Sequence, residues 1–283
     1  MASDLTGKTF VVTGANTGIG KITARELAQR GAHVVLACRS RDKTQPVIDE
    51  IKRGTGNDHV EFIALDLGDL ASVRRCAEEL LAKYPAIHGL INNAGLAGHR
   101  GTTKDGFEIQ FGTNHLGHYL LTRLLLDRLR ASGAARIVNV ASQSHYSAKA
   151  IDWVALRAKT RSTTALPEYA VSKLANVLFT KELARRLEGS DVTTYALHPG
   201  VVATDVWRRV PPPFRWIMRK FMWTPDQGAQ TSLRCATAPE LAAETGRYYD
   251  KDGSERKPSR LADDEALARE LWAKSAEWTG LAA

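Results

Sequence analysis

Tyr169 and Lys173 stand four residues apart in the stretch Tyr169-Ala-Val-Ser-Lys173, just behind Pro167. Proline suits the first turn of a helix, where its missing N–H would have no partner anyway. A helix begun there carries the phenol and the ammonium one turn apart on the same face. A cation beside a phenol favours the phenolate and draws down a pKa that starts near ~10. Tyr169 is therefore a candidate proton donor and acceptor close to neutral pH. A Tyr four before a Lys is common on helix surfaces, and company singles this pair out. Upstream lie, in order, a glycine turn, Asn92-Asn93-Ala94-Gly95, Asn114 and Ser142.

The glycine turn is Thr13-Gly14-Ala15-Asn16-Thr17-Gly18-Ile19-Gly20. The β-branched and aromatic run Thr9–Thr13 before it predicts a strand. Residues 21–30 after it predict a helix, with Ile22, Ala24, Leu27 and Ala28 at helical spacing and Gly31 as the stop. Strand, glycine turn and helix make the setting of a dinucleotide site. Glycines let the backbone approach a pyrophosphate, and the helix N-terminus favours its charge. The spacing G-x3-G-x-G departs from the commoner G-x-G-x-x-G, and a purely structural turn is the competing reading. His33–Cys38 predicts the second strand. An NAD site places an acid after this strand to accept from the ribose 2′-OH. Here Arg39-Ser40-Arg41 follows, and Arg suits a 2′-phosphate in charge and forked geometry. NADP(H) is the favoured cofactor, while Asp42 keeps NAD open.

The remaining elements must bring the later residues to the same place. A helix runs to about Arg53 and stops at Gly54-Thr55-Gly56. Residues 60–65 predict a strand closing on Asp66-Leu67, where the acid can accept from an adenine amine or simply close a turn. Asp69 is a predicted helix cap. Leu70, Val73, Ala77, Leu80 and Leu81 then form an apolar helical face that stops near Pro85. Residues 87–91 predict strand four, with Asn92 to Gly95 as its exit, small enough there for a cofactor to lie against the backbone. Residues 107–129 predict a long helix with a broad apolar face, including Phe111, Tyr119 and Leu124. Asn114 inside it is a poor helix former, and a polar residue in a buried helix needs a partner or a job. His115 and His118 read as packed or solvated histidines rather than ligands. Arg136–Val140 predicts strand five, and Ser142 at its exit can donate to a substrate oxygen. Ser142 with His145 also hints at a hydrolase, but G-x-S-x-G is absent. Residues 192–197 predict strand six, 224–235 a helix, and Arg247–Tyr249 strand seven. A terminal amphipathic helix follows at 263–272, with Ala266, Leu267 and Leu271 inward.

The chain has 283 residues, 43% hydrophobic and 25% charged, an ordinary balance for a globular protein with a sizeable core. No repeat or linker divides it, so 1–283 reads as one domain. A net charge of +8 fits a solvated basic surface, anionic cofactor phosphates or a membrane face. No dense Lys/Arg block appears, so no nucleic-acid partner is expected. Cys38, Cys76 and Cys235 are scattered and odd in number, which predicts a reducing, cytoplasmic setting. No Cys/His spacing suggests zinc, and no metal is expected. Residues 1–8 are polar and no apolar run approaches ~18 residues, so neither a signal peptide nor a transmembrane helix is expected.

Taken together, the glycine turn, Asn92-Asn93-Ala94-Gly95, Asn114, Ser142 and Tyr-x-x-x-Lys resemble the short-chain dehydrogenase/reductase family over nearly the whole chain. Phe111-Gly-Thr-Asn-His-Leu-Gly-His118, Lys173-Leu-Ala-Asn-Val-Leu-Phe-Thr180 and Tyr195-Ala-Leu-His198-Pro199-Gly200 resemble its retinol dehydrogenase branch. The insert between Ser142 and Tyr169 does too. The resemblance implies an α/β fold: one doubly wound, Rossmann-type domain with about seven parallel strands and helices on both faces. NADP(H) would lie at the carboxyl ends of the strands. Tyr169 would exchange the proton with the substrate oxygen. Lys173 would lower its pKa and hold the nicotinamide ribose, Ser142 would polarise the carbonyl, and Asn114 would position a relay water. Gly14, Asn16, Gly18, Ile19 and Gly20 would hold the pyrophosphate, Arg39 the 2′-phosphate, and Asp66 with Leu67 the adenine. Asn93, Ala94 and Gly95 would line the adenosine and ribose path. Pro199, Gly200, Val202 and Thr204 would hold the nicotinamide end. The long helices at 107–129 and 167–187 would pair in a homodimer or homotetramer.

A substrate lid is expected at 204–223. Its prolines break regular structure, and Phe214, Ile217, Met218 and Phe221 can form one apolar helical side with Arg215, Arg219 and Lys220 interleaved. Such a segment suits cover for a lipophilic substrate, packing on the protein body, or peripheral membrane contact. The leading expectation is an NADP(H)-dependent oxidoreductase for a lipophilic carbonyl or alcohol, retinal-like aldehydes included. The alternatives are a sterol or polyketide ketoreductase and an NADP(H)-binding regulatory protein. A pure binder has no need of Asn114, Ser142, Tyr169 and Lys173 together.

Overall fold

Parallel strands covered on both faces are apolar along most of their length. Seven segments pair in this way in the computed structural model, which describes residues 4–201 and 223–283. They are β1 (Thr9–Thr13), β2 (His33–Cys38), β3 (Val60–Ala64), β4 (Gly89–Asn92), β5 (Arg136–Val140), β6 (Thr193–Leu197) and β7 (Arg247–Tyr249). The sheet order is β3-β2-β1-β4-β5-β6-β7, and every pairing is parallel. Chain direction across the sheet therefore reverses between β1 and β4. A crevice outside the carboxyl ends of the strands at such a switch point is where doubly wound sheets bind ligands.

The main helices among the described residues are α1 (Gly18–Gln29), α2 (Arg41–Thr55), α3 (Leu70–Lys83), α4 (Gly117–Ala131), α5 (Leu166–Arg186), α6 (Pro225–Thr237) and α7 (Glu265–Thr279). Successive strand residues point to opposite faces. Val12, Leu36 and Val138 meet Leu27 of α1, Ile48 of α2 and Ala229 and Leu233 of α6. Val11, Val35, Leu90 and Ile137 meet α3, α4, α5 and α7 through Leu80, Leu121, Phe179 and Trp272. The predicted seven-stranded, doubly covered sheet is thus the observed one. Cys38, Cys76 and Cys235 are buried free thiols. No helix among the described residues is long and apolar enough to cross a membrane.

Three local expectations need correction. The predicted long helix over 107–129 runs from Ile109 to Ala131, but it opens with a short stretch, Ile109–Phe111, and a π turn, Gly112–Leu116, before α4. Glu108 caps the start, its Oε2 accepting from Gln110 and Phe111 N–H at 2.8 Å each. Gly112 packs on Thr103, and a Cβ on Gly117 would lie 2.5 Å from the Leu67 carbonyl oxygen. Those contacts and the Asn114 bonds described below hold the wide turn open. The last helix, predicted over 263–272, runs as α7 to Thr279, and Ala266 is exposed rather than inward. Its buried stripe is Ala268, Leu271, Trp272, Ser275, Ala276 and Thr279. Strand four starts two residues later than expected. Asn92 belongs to it, and its amide donates to Asn139 Oδ1 and Thr122 Oγ1 inside the core.

Candidate active site

A cleft of about 1060 Å³ runs along the carboxyl ends of the strands. Its floor is the turn between β1 and α1. Gly14 has φ +63°, and a Cβ there would lie 2.8 Å from the Ala94 Cβ. A Cβ on Gly20 would lie 2.7 Å from the Gly14 carbonyl oxygen and would strike the Asn93 amide. The Thr13 hydroxyl accepts from Asn93 and Ala94 N–H at 3.0 Å each, and Asn93 Nδ2 donates to the Thr13 carbonyl at 2.8 Å. The glycine turn and the Asn-Asn-Ala-Gly segment are therefore one stitched surface. Asn16, Gly18, Ile19 and Gly20 line the cleft where α1 begins, and the first turn of α1 carries no acidic residue. A helix N-terminus so presented favours an anion. The cradle fits a dinucleotide pyrophosphate.

At one end of the cleft, Arg39, Ser40 and Lys43 form a basic rim, and Asp66, Leu67 and Gly68 face them. Asp42 is not part of this wall, and Arg41 turns away to lie over the Phe62 ring at 4.6 Å. Sequence reasoning missed Ser40 and Lys43. The available signal was helical phase, since Lys43 sits in the first turn of α2, over the end of β2. Asp66 Oδ1 accepts from Gly68 N–H at 3.0 Å, which is the turn-closing role weighed for it.

The chemical groups meet past the end of β5. Ser142 is extended, and its hydroxyl accepts from Ser144 N–H at 3.1 Å. Ala165, with φ +57°, is the non-glycine residue with positive φ among those described, and it starts α5. Its carbonyl takes Tyr169 N–H at 3.1 Å and Gln110 Nε2 at 2.7 Å. The phenol is aimed in this way at Ser142. Lys173 Nζ lies 5.7 Å from the Tyr169 ring centre and donates to the Val140 carbonyl at 2.9 Å. Ser142, Tyr169 and Lys173 all reach the cleft wall. Burial pulls the Lys173 ammonium down to about 8. Burial also pushes the Tyr169 phenol above its ordinary value, against the hydrogen bond with Ser142 that lowers it. This differs from the expected lowering by Lys173. Loss of water around the phenolate sets the direction, and the Lys173 ammonium, turned to the Val140 carbonyl, does not offset it.

Asn114 is placed differently. Its side chain lies behind the cleft wall, where Oδ1 accepts from Leu96 N–H at 2.7 Å and Nδ2 donates to the Leu96 carbonyl and Ser172 Oγ at 2.9 Å each. A Cβ on Gly95 would stand 3.4 Å from Lys173 Nζ and 3.5 Å from Asn114 Oδ1. The Asn114 carbonyl lies 3.0 Å from His118 Nδ1, and His118 Nε2 lies 2.9 Å from the Thr13 hydroxyl. His115 Nε2 lies 3.2 Å from Ser275 Oγ. Burial drives His118 down to about 4 and His115 to about 3, so both are neutral packing groups, as expected. His145 Nδ1 meets the Ser142 carbonyl, not its hydroxyl, which removes the serine–histidine hydrolase pair. Pro199 and Gly200 line the far end of the cleft, and Gly200 has φ +88° against Trp223. Val202, Thr204 and all of the expected lid except Trp223 lie outside the described residues.

The sequence model of the family described as short chain dehydrogenase matches residues 8–213. The chain belongs to the short-chain dehydrogenase/reductase family. It is an enzyme of that family, an oxidoreductase acting between alcohol and carbonyl. Retinol dehydrogenase 13 of Homo sapiens is 47% identical over 98% of this chain and 86% of its own. Retinol dehydrogenase 11 of Homo sapiens is 48% identical over 98% and 87%. Among solved structures, a putative uncharacterized protein from Mycobacterium Paratuberculosis superposes with TM-score 0.80 at 36% identity, over 99% of this chain and 96% of that one. A putative NAD(P) dependent gluconate 5-dehydrogenase from Beutenbergia cavernae, with bound NADP, gives TM-score 0.73 at 29% identity, over 88% and 97%. Within its family, this short-chain dehydrogenase/reductase is retinol dehydrogenase-like.

Proposed function

We propose that this enzyme transfers a hydride between NADP(H) and the carbonyl or alcohol carbon of a lipophilic substrate, retinal-like aldehydes included. The convergence of Ser142, Tyr169 and Lys173 on one wall of the cleft carries this reading. Bound nicotinamide supplies or accepts the hydride, and the chain supplies orientation and proton transfer. The Tyr169 phenol, raised by burial, is protonated at neutral pH, the form that donates to a carbonyl oxygen becoming an alcohol. Ser142 donates to the same oxygen and polarises it. Lys173 holds the ribose and feeds the proton path, with Asn114 ordering the Gly95-Leu96 backbone beside it.

The basic rim at Arg39, Ser40 and Lys43, with Asp42 turned out of the wall, supports a 2′-phosphate and hence NADP(H). The NADP-bound relative supports the same choice. The names of the human relatives support a retinoid-like substrate. By the family resemblance, Val202 and Thr204 would hold the nicotinamide end and the segment 204–223 would serve as the substrate lid. The test follows NADPH consumption with retinal and medium-chain aldehydes, beside NADH and a Tyr169→Phe variant. NADPH-dependent turnover lost in the variant is the expected result. Turnover that survives Tyr169→Phe with cofactor binding intact rejects the acid/base role. Binding of NADPH with no turnover of any aldehyde rejects lipophilic aldehydes as the substrate class.

A further inference from the structure

His145 is fully buried and takes no part in the proton path. Its ring lies 4.1 Å from that of Tyr146 and 4.9 Å, edge-on, from that of Tyr248. Nδ1 is 2.7 Å from the Ser142 carbonyl oxygen, and Nε2 is 3.1 Å from the Ser259 main-chain nitrogen. A carbonyl only accepts and an amide N–H only donates. Both bonds therefore coexist in one form alone, the neutral ring with its hydrogen on Nδ1. Burial favours that neutral form.

The Ser142 carbonyl also takes the His145 main-chain N–H at 3.1 Å, so two bonds fix one peptide. The same residue carries the hydroxyl that meets Ser144 and Tyr169. A turn of that peptide would move the Ser144 N–H from which the hydroxyl accepts, and with it the setting of the hydroxyl against the phenol. Ser259 itself lies in the segment after β7, which is pinned beside it. The Tyr146 hydroxyl donates to the Lys257 carbonyl at 2.5 Å, and Arg256 pairs with Asp250 at 2.7 Å.

We propose that His145 is a positioning residue that holds Ser142 in its working geometry through the bond from Nδ1 to the Ser142 carbonyl. The proposal rests on the reading of Ser142 as the hydroxyl that polarises the substrate oxygen. An Asn amide reaches the place of Nδ1 and can donate to the Ser142 carbonyl. A Gln amide reaches the place of Nε2 and can accept from Ser259.

The test compares His145→Asn, His145→Gln, Ser142→Ala and the double variant Ser142→Ala/His145→Gln. The readouts are kcat and KM for a medium-chain aldehyde at saturating NADPH, NADPH affinity by fluorescence, and Tm. His145→Gln should lose about tenfold in kcat with NADPH affinity unchanged, and His145→Asn should stay within about threefold of the parent. The double variant should be no slower than Ser142→Ala, because an effect routed through Ser142 vanishes with it. Equal kcat losses in Asn and Gln, or a further loss in the double variant, overturn the proposal. If His145→Gln does not fold, a tenfold kcat loss in a folded His145→Asn overturns it equally. Parent-like turnover in Ser142→Ala would instead sink the underlying reading of Ser142, and the single variant shows that separately.

Discussion

Along the glycine-turn side the cleft wall is backbone, with Gly14, Gly18 and Gly20 leaving main-chain atoms open to a ligand. Along the Tyr169 side it is built from side chains whose partners are distant in sequence, up to the 114 residues between His145 and Ser259. The first wall excludes an added Cβ at Gly14 and Gly20, and its tie to a protonation state is one neutral ring, His118 behind Thr13. The second accepts few changes of partner, and its geometry depends on histidine rings that burial keeps neutral and a lysine that burial draws down. Substitutions on the two sides should therefore fail differently. Backbone-wall changes should cost cofactor affinity, and side-chain-wall changes should cost turnover and acid stability.

The sharpest contrast is Tyr169→Phe, which should lower kcat by about 10²–10⁴-fold and leave NADPH affinity as it was. Pre-steady-state turnover beside a fluorescence titration reads both, and a change confined to affinity would erase the distinction. Next comes acid. His118 and His198 are lowered to about 4 and His115 to about 3, from 6.5. Below pH 6.5 the unfolded chain takes up protons that the folded chain refuses, so stability is full above 6.5 and falls as pH drops towards 4. Each histidine contributes about 1.4 kcal/mol per pH unit in that window. Urea midpoints at pH 7.5 and 5.5 measure it, and equal midpoints would refute the neutral histidines.

On the backbone wall, Gly20→Ala should cost about 1–3 kcal/mol through overpacking against Asn93 and Gly14. It should also raise the NADPH Kd while leaving kcat at saturation near the parent value. A loss of kcat alone would show that the wall does more than bind. The smallest effect is expected of Arg39→Ala at the exposed rim, about tenfold in NADPH affinity and none in NADH affinity. Equal weakening of both cofactors would detach Arg39 from the 2′-phosphate.

The same division explains what could be read in advance. Local signals fixed β1, β2, β5 and β7 at their ends, since each is a short apolar run between turn residues. The glycine turn was legible because its function is written in adjacent residues. The π turn was not, because it answers to Thr103, Leu67 and Leu96, which periodicity does not contain. The far half of α7 was missed because its buried stripe there is Ser275, Ala276 and Thr279, residues that look like surface until His115 is found bonded to Ser275. Asn114 was expected to need a partner or a job, and its partners emerged only when β4 and α5 were brought together. His118 was read as a packed or solvated ring, and the partners that hold His118 and His145, Thr13 and Ser259, lie far away in sequence. The pKa of Tyr169 went the other way from the pairwise expectation, since burial is a property of the whole fold.

The π turn at Gly112–Leu116 spends one residue more than an α-helix would over the same rise. Each helical residue turns the chain by about 100°. Losing one residue here would let the hydrogen bonds close into a regular helix and would set the chain on its two sides out of phase. Either Asn114 would leave Leu96 and Ser172, or Leu120 and Leu121 would leave the core. Spacing between the asparagine and the helix behind it is thus fixed as tightly as residue identity. Lineages of this enzyme should tolerate insertions and deletions almost anywhere on the surface before they tolerate one in these five positions.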